Sequence, residues 1–133
     1  MSQENVEIVR RAWEASLRHD NEAVFSLYDP EVEWDLTAAP GFDTRVYRGV
    51  EGVQQWFRDW IDAVDDLSAD VEEWIDTGDH VIAMLHWTAR GKRSGAPVDM
   101  RQAHLWTVRN GKLARLRVFA TRSEALEAVG LRE

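Results

Sequence analysis

Hydrophobic and polar residues alternate with a period of two through the second half of the chain. The pattern predicts three consecutive strands at 80–89, 98–108 and 113–119. Asn110 and Gly111 lie between the last two strands and are typical of a type I′ hairpin turn, because both tolerate a positive φ. The strand at 80–89 is apolar on both faces, so we expect both to be covered, one by the protein's own helices and the other by a second subunit.

Helical periodicity dominates the first half of the chain. Apolar residues recur every three or four positions over 2–18, which predicts a long first helix. Asp20 is expected to cap a short second helix that runs to Tyr28. A third helix is predicted from Val50 to Val64, where bulky apolar residues lie on one face over about four turns.

Shorter signals complete the order of elements. Alternating residues predict strands at 31–36 and 69–76. Thr121 and Glu124 form a capping box at the start of a C-terminal helix, with Gly130 just after its end. Helices that come first, followed by consecutive strands, predict an α+β fold. We expect a cone-shaped, curved antiparallel or mixed sheet around the long third helix, with the N-terminal helices covering its concave face and leaving a pocket.

Composition excludes several classes of function. At 133 residues with a net charge of −8, the chain is expected to be a single domain spanning 1–133, with no nucleic-acid partner and no affinity for an anionic membrane. It contains no cysteine, which excludes disulfides and a thiol nucleophile. We find no signal peptide and no apolar run of the roughly 20 residues that span a bilayer, so a cytoplasmic location is expected.

Several segments together resemble a known family. These are Tyr47-Arg48-Gly49, the long third helix, the turn at 91–95 and the ending at 124–131. With them the chain resembles a SnoaL-like protein of the nuclear transport factor 2-like superfamily. The resemblance implies a cone-shaped α+β barrel with an apolar pocket, often dimeric through its outer sheet face. Members include ketosteroid isomerase, limonene-epoxide hydrolase, polyketide cyclases, dehydratases and binding modules, so the fold does not name a reaction.

The catalytic residues of two such relatives are not retained. The base, tyrosine and protonated aspartate of ketosteroid isomerase align with Leu36, Ala12 and His104. Steroid isomerisation by that mechanism is therefore not expected. Limonene-epoxide hydrolase uses an Asp-Arg-Asp arrangement. In the corresponding region this sequence has Asp99 and Arg101, and strand alternation points both side chains away from the face that carries His104.

Three residues are candidates for acid–base chemistry. His104 and His86 lie on neighbouring strands, on the face that we assign to the pocket, and imidazole is the usual general acid or base. The alternative is a pair of hydrogen-bonded core histidines, or a pair that contacts a ligand, with no chemical role in either case. Asp35 is the third candidate, since burial would raise its pKa. Strict alternation puts Trp34 and Asp35 on opposite faces, and we prefer Trp34 inside. No third ligand accompanies the histidines, so no metal and no cofactor are expected.

Aromatic and polar residues are expected to line the pocket. Seven tryptophans in so short a chain are either core or the wall of a site for an apolar or aromatic ligand. Trp74 and Trp87 are expected to face elsewhere, with Trp87 at a dimer contact. The predicted substrate-binding residues are Trp13, Tyr28, Trp34, Trp56, Trp60, Met84, Gln102 and Trp106.

Two functional hypotheses follow. The first is a cofactor-independent acid–base enzyme of isomerase, cyclase or dehydratase type that acts on an apolar carbonyl compound, with His104 as the leading acid or base. The second is a ligand-binding or dimerisation module without turnover. In both, we expect a homodimer formed through the outer face of the sheet.

Overall fold

A computed structural model of the protein describes residues 2–39, 45–61 and 63–131. These ranges contain four helices and six strands, which confirms the α+β prediction. None of the helices in these ranges is long and apolar enough to span a bilayer. The elements are α1 (Ser2–Leu17), α2 (Asn21–Ser26), β1 (Tyr28–Asp35), β2 (Val46–Arg48), α3 (Gly49–Ile61), β3 (Val64–Asp76), β4 (His80–Gly91), β5 (Pro97–Arg109), β6 (Lys112–Phe119) and α4 (Arg122–Ala128).

The six strands form one mixed sheet in the order β2-β1-β6-β5-β4-β3. All neighbours are antiparallel except β1 and β6, which are parallel. The sheet is curved and does not close, so β2 and β3 are its edges. The first strand in the sequence, β1, therefore lies beside the last one, β6, so the two halves of the chain pair within one sheet.

Local capping and turn chemistry agrees with the sequence. Asn110 and Gly111 have φ values of 54° and 74°, as a type I′ turn requires. The Asp20 carboxylate accepts a hydrogen bond from the Ala23 amide at 3.2 Å at the start of α2. The Thr121 hydroxyl accepts one from the Glu124 amide, also at 3.2 Å, at the start of α4. Each cap satisfies a backbone donor that the first helical turn leaves unpaired.

Several elements differ from the predictions because strand pairing overrides local periodicity. β1 begins at Tyr28, which we predicted at the end of the second helix, and it continues through Pro30 at an irregular part of its pairing with β6. β2 has three residues and was too short to predict. The third helix ends at Ile61 rather than Val64, because Val64 pairs with Gly91 and begins β3 five residues earlier than predicted.

The helices divide between the two faces of the sheet. On the face that we call the inner face, α1 packs against β3, β4 and β6, while α3 packs against β1, β2 and β3. This arrangement confirms the prediction that the first three helices and the sheet enclose a core. The larger buried cluster lies there and includes Val32, Trp34 and Leu116.

The C-terminal helix covers part of the opposite face, which we call the outer face. Its Ala125 and Leu126 pack with Ile82, Leu105 and Phe119 in a second buried cluster. This packing explains why β4 is apolar on both faces: part of the second cover is α4, a segment of the same chain. The homodimer stays a prediction, and it must use outer surface that α4 leaves open.

We predict that Leu126→Ala lowers the free energy of unfolding by about 2–5 kcal/mol, because it leaves a void beneath α4. Leu126 is 5% exposed, whereas Leu17 on α1 is 55% exposed and supplies the matched control. Urea denaturation should show Leu17→Ala within about 0.5 kcal/mol of wild type. Equal effects for the two variants would contradict the assignment of α4 to the core.

Candidate functional site

A cavity of about 120 Å³ lies between the inner face of the sheet and helices α1 and α3. All seven tryptophans of the chain line it. They come from α1, β1, α3, β3, β4 and β5, so nearly every element of the inner layer contributes an indole. The tryptophans are Trp13, Trp34, Trp56, Trp60, Trp74, Trp87 and Trp106.

Trp34 is the centre of the aromatic wall. It is 5% exposed and lies on β1, where alternation points it towards α3. Its ring centroid is 5.0 Å from that of Trp56, 5.8 Å from that of Phe57 and 6.2 Å from that of Trp106. All three pairs are edge-to-face, the arrangement that aromatic quadrupoles favour. These contacts fix the orientation of the wall through rigid side chains.

The register of β4 and β5 decides which side chains reach the cavity. Ala83 lies opposite His104, and Leu85 opposite Gln102, so these four residues share the inner face. His86 lies opposite Arg101 on the outer face. Our assignment of His86 and His104 to one face was therefore wrong. Both faces of β4 are apolar, so alternation alone could not decide which one faced the helices.

The same register corrects further placements. Met84 is on the outer face and packs with the cluster beneath α4, so it does not line the cavity as predicted. Trp74 and Trp87 line the cavity, although we expected them to face elsewhere. Trp87 lies opposite Met100 on the inner face, which removes it from the predicted outer-face dimer contact. The other predicted substrate-binding residues line the cavity: Trp13, Tyr28, Trp34, Trp56, Trp60, Gln102 and Trp106.

Asp35 points away from the cavity, while its neighbour Trp34 lines it. The Asp35 carboxylate accepts hydrogen bonds from the Thr37 hydroxyl at 2.6 Å and from Arg115 at 3.2 Å. The hydrogen bond from Thr37, assisted by the charges of Arg115 and Arg117, holds the pKa of Asp35 below its usual range. Partial burial does raise the pKa, as expected, but the hydrogen bond and the neighbouring charges outweigh it, so Asp35 is a half-buried, ionised carboxylate.

His86 forms a separate outer-face pair. Its Nε2 is 2.7 Å from the carboxylate of Asp99, whose side chain is 68% exposed. Arg101 nearby donates to Glu72 at 3.0 Å. In the described ranges, no three His, Asp or Glu side chains converge in a way that could hold a metal ion.

His104 is the acid–base candidate that the structure places in the cavity wall. Its Nε2 lies 2.9 Å from Oε1 of Gln102, and its ring is 6.3 Å from that of Trp87. Burial among these side chains lowers the pKa of His104 to about 4. The imidazole is therefore neutral at pH 7. Burial also raises the pKa of Tyr28, so that its hydroxyl stays protonated.

The cavity is uncharged, and unpaired donors lie buried within its wall. The described residues that line it include no Asp, Glu, Lys or Arg. The indole Nε1 atoms of Trp34, Trp56 and Trp87 are buried without a hydrogen-bond partner. Leaving a buried donor unpaired costs roughly 1–3 kcal/mol, so three such donors in one wall are unusual.

Some cavity residues escaped the sequence analysis. Phe57 and Met100 line the wall but were not predicted to do so. Met100 shares a face with Gln102 and His104 by simple alternation, so that signal was present in the sequence. Ser16 and Val71 gave no comparable signal, because their positions depend on how α1 and the edge strand β3 close over the sheet.

We predict that the buried histidine makes the protein less stable in mild acid. The pKa of His104 is 6.5 when it is unperturbed and about 4 in the folded protein, so the unfolded chain binds more protons below pH 6.5. Stability is therefore highest above that pH, and about 2 kcal/mol should be lost between pH 7 and pH 5. Urea denaturation of wild type and His104→Phe should reveal a steeper loss in wild type; identical pH profiles would contradict the burial of a neutral imidazole.

Comparisons with known proteins identify the family. The SnoaL-like domain model matches residues 9–116. An uncharacterized protein of Mycobacterium tuberculosis is 29% identical over 126 residues, which cover 93% of this chain and 94% of the relative. Among solved structures, an NTF2-like protein from Burkholderia thailandensis has a TM-score of 0.77 at 28% identity, with 86% of this chain and 88% of that chain covered.

A second solved structure was determined with a ligand. TerC, co-crystallized with polyporic acid, has a TM-score of 0.74 at 21% identity, and the match covers 89% of this chain and 92% of that chain. At that identity the likeness shows the fold alone. The family match, in contrast, spans most of the chain and includes the second half of the first helix, the aromatic wall and most of the sheet. The chain therefore belongs to the SnoaL-like domain family.

Proposed function

We propose that this protein binds an uncharged, apolar, ring-bearing small molecule that carries a carbonyl or similar acceptor oxygen. The observation that carries the proposal is that all seven tryptophans line one cavity. A wall of flat, rigid side chains buries a ring with little loss of side-chain entropy. The absence of charged groups among its described residues favours a neutral ligand, because a buried, unpaired charge is strongly unfavourable.

The unpaired indole donors support an acceptor on the ligand. Trp34, Trp56 and Trp87 each hold a buried N–H without a partner. These N–H groups lie beneath the surface of the wall, so an indole must turn to bring one of them to a carbonyl oxygen, and that hydrogen bond would remove part of the cost of burying it. The cavity of about 120 Å³ is similar in scale to the apolar protein cavity of ~150 Å³ that admits benzene, so single-ring compounds are suitable first probes. TerC, which shares this fold, was co-crystallized with polyporic acid, and this supports a small-molecule ligand for the cavity.

Acid–base chemistry is a second candidate function, and it depends on His104. The neutral imidazole is held by Gln102 at 2.9 Å inside the cavity wall. It could take a proton from the carbon next to a bound carbonyl: the C–H bond breaks, an N–H bond forms, and the electron pair moves to the carbonyl oxygen as an enolate. A base with a pKa of about 4 is weak for this step, which favours the non-catalytic alternative.

We predict that acetophenone binds with saturable quenching of tryptophan fluorescence and one-to-one stoichiometry in native mass spectrometry. Benzoate has a similar shape but carries a charge that the cavity does not pair, so its binding should be at least roughly tenfold weaker. Equal affinity for the two compounds would contradict a neutral cavity. Failure of a wider panel of aromatic and terpenoid carbonyl compounds to bind would overturn the proposal.

A filled-cavity variant tests whether the ligand occupies this site. Val98 lines the cavity and is half-buried, so Val98→Phe should weaken acetophenone binding roughly tenfold by occupying its space. Val46 on β2 is also half-buried but does not line the cavity, and Val46→Phe is the matched control. Unfolding by urea should be measured on both variants, so that lost binding is not confused with lost structure.

Deuterium exchange separates the two candidate functions. If His104 acts as a base, the methyl protons of bound acetophenone should exchange with deuterium oxide faster in the presence of wild type than of His104→Phe. Nuclear magnetic resonance of the ligand measures both rates directly. Equal rates, with binding retained, would leave the protein as a binding module.

A further inference from the structure

Three polar or sulfur-containing side chains follow one another along the inner face of β5. Met100, Gln102 and His104 are two residues apart, so strand alternation places all three on the same side. Nε2 of Gln102 lies 3.1 Å from Sδ of Met100, and Oε1 of Gln102 lies 2.9 Å from Nε2 of His104. All three residues line the cavity.

The chemistry of this row fixes the orientation of the Gln102 amide. A thioether sulfur accepts hydrogen bonds and has no proton to donate. The NH₂ group of Gln102 therefore belongs on the side of Met100, and its carbonyl oxygen on the side of His104. The opposite orientation would place the carbonyl oxygen against the sulfur lone pairs. Met100 thus decides which end of the amide His104 meets.

That orientation in turn fixes the tautomer of the imidazole. The Gln102 carbonyl can only accept, so Nε2 of His104 must carry the hydrogen that joins them. The neutral ring has one hydrogen, which leaves Nδ1 with a lone pair. Within the described residues we find no hydrogen-bond partner for Nδ1, and it is absent from the buried, unpartnered atoms of the wall. It is therefore open to a molecule in the cavity.

We infer that Met100 and Gln102 position His104 as its Nε2–H tautomer, so that Nδ1 is a hydrogen-bond acceptor for a hydroxyl group of the ligand. This rests on the proposed function and narrows its ligand class to ring compounds that carry a phenolic or enolic hydroxyl. Such a ligand donates its hydroxyl hydrogen to Nδ1, while its ring packs against the aromatic wall. Gln102 and Met100 act through His104 and are positioning residues.

The tautomer is measured without any ligand by long-range proton–nitrogen correlation spectra of ¹⁵N-labelled protein. Wild type should show His104 as the Nε2–H form at pH 7, with its signals assigned by their loss in His104→Phe. Gln102→Glu keeps an acceptor facing Nε2 and should keep this tautomer. Gln102→Leu removes the acceptor and should give a mixture. A wild-type Nδ1–H form would overturn the inference.

The role of the sulfur has its own matched pair of variants. Met100→Leu keeps the size of the side chain and removes the atom that orients the amide, so a second His104 tautomer should appear. Met84→Leu makes the same change on the outer face, where Met84 packs beneath α4, and should leave the His104 spectrum unchanged. A single Nε2–H form in Met100→Leu would show that the sulfur does not orient Gln102.

The ligand class is tested with phenol and toluene, which differ by a hydroxyl in place of a methyl group. The ratio of the affinity for phenol to the affinity for toluene should be roughly 3 to 10 times larger in wild type than in His104→Phe. This factor is the effect of one hydrogen bond. If both compounds bound and this ratio were the same in the two proteins, the proposed ligand class would be overturned, while the inferred tautomer would stand. If neither ring bound, the proposed function would fail together with the ligand class, while the spectra would still decide the tautomer.

Discussion

The pairing of Ala83 with His104 across β4 and β5 is the constraint on which the site depends. Side chains alternate between the faces of a sheet, so a shift of one residue would exchange every inward group for its outward neighbour. In the observed register Gln102 and His104 face the helices and Arg101 faces solvent. The same register brings Trp87 and Trp106 into the wall. Cavity chemistry is thus determined by one strand pairing, more than by any single motif.

The outer face of the sheet carries ion pairs, whereas the described side chains that line the cavity on the inner face are uncharged. On the outer face Arg115 contacts both Glu33 and Asp35, and Arg101 contacts Glu72. The exposed pair of Arg101 and Glu72 contributes little to stability, since water and salt screen it, whereas Asp35 is half-buried. The ion pairs affect the site indirectly. The Asp35 carboxylate already has its hydrogen-bond partners on the outer face, and turning it into the cavity would break those bonds. The inner face keeps His104 and the tryptophan indoles as its polar groups, alongside Gln102 and the Tyr28 hydroxyl.

The element order and the turn and cap chemistry could be predicted because each rests on neighbouring residues, as at Asn110, Asp20 and Thr121. The face of His86 could not, since β4 is apolar on both sides and the connection from 91 to 96 does not specify the register. Tyr28 shows the same limit. Pro30 locally predicts the end of the second helix after Tyr28, whereas pairing with β6 makes Tyr28 the start of a strand that continues beyond Pro30. Predictions that depend on which strand lies opposite which residue need the three-dimensional structure.

The cavity itself argues against a purely structural role for the tryptophans. The cavity of about 120 Å³ leaves the side chains that line it without the packing contacts of a filled core, which costs stability. The unpaired indoles of Trp34, Trp56 and Trp87 add to that cost. A core that served stability alone would be filled, as the second cluster around Ile82 and Leu126 is. Space surrounded by rigid aromatic side chains is what a binding site for a flat molecule requires, and a ring that filled it would restore the contacts that the side chains of the wall lack.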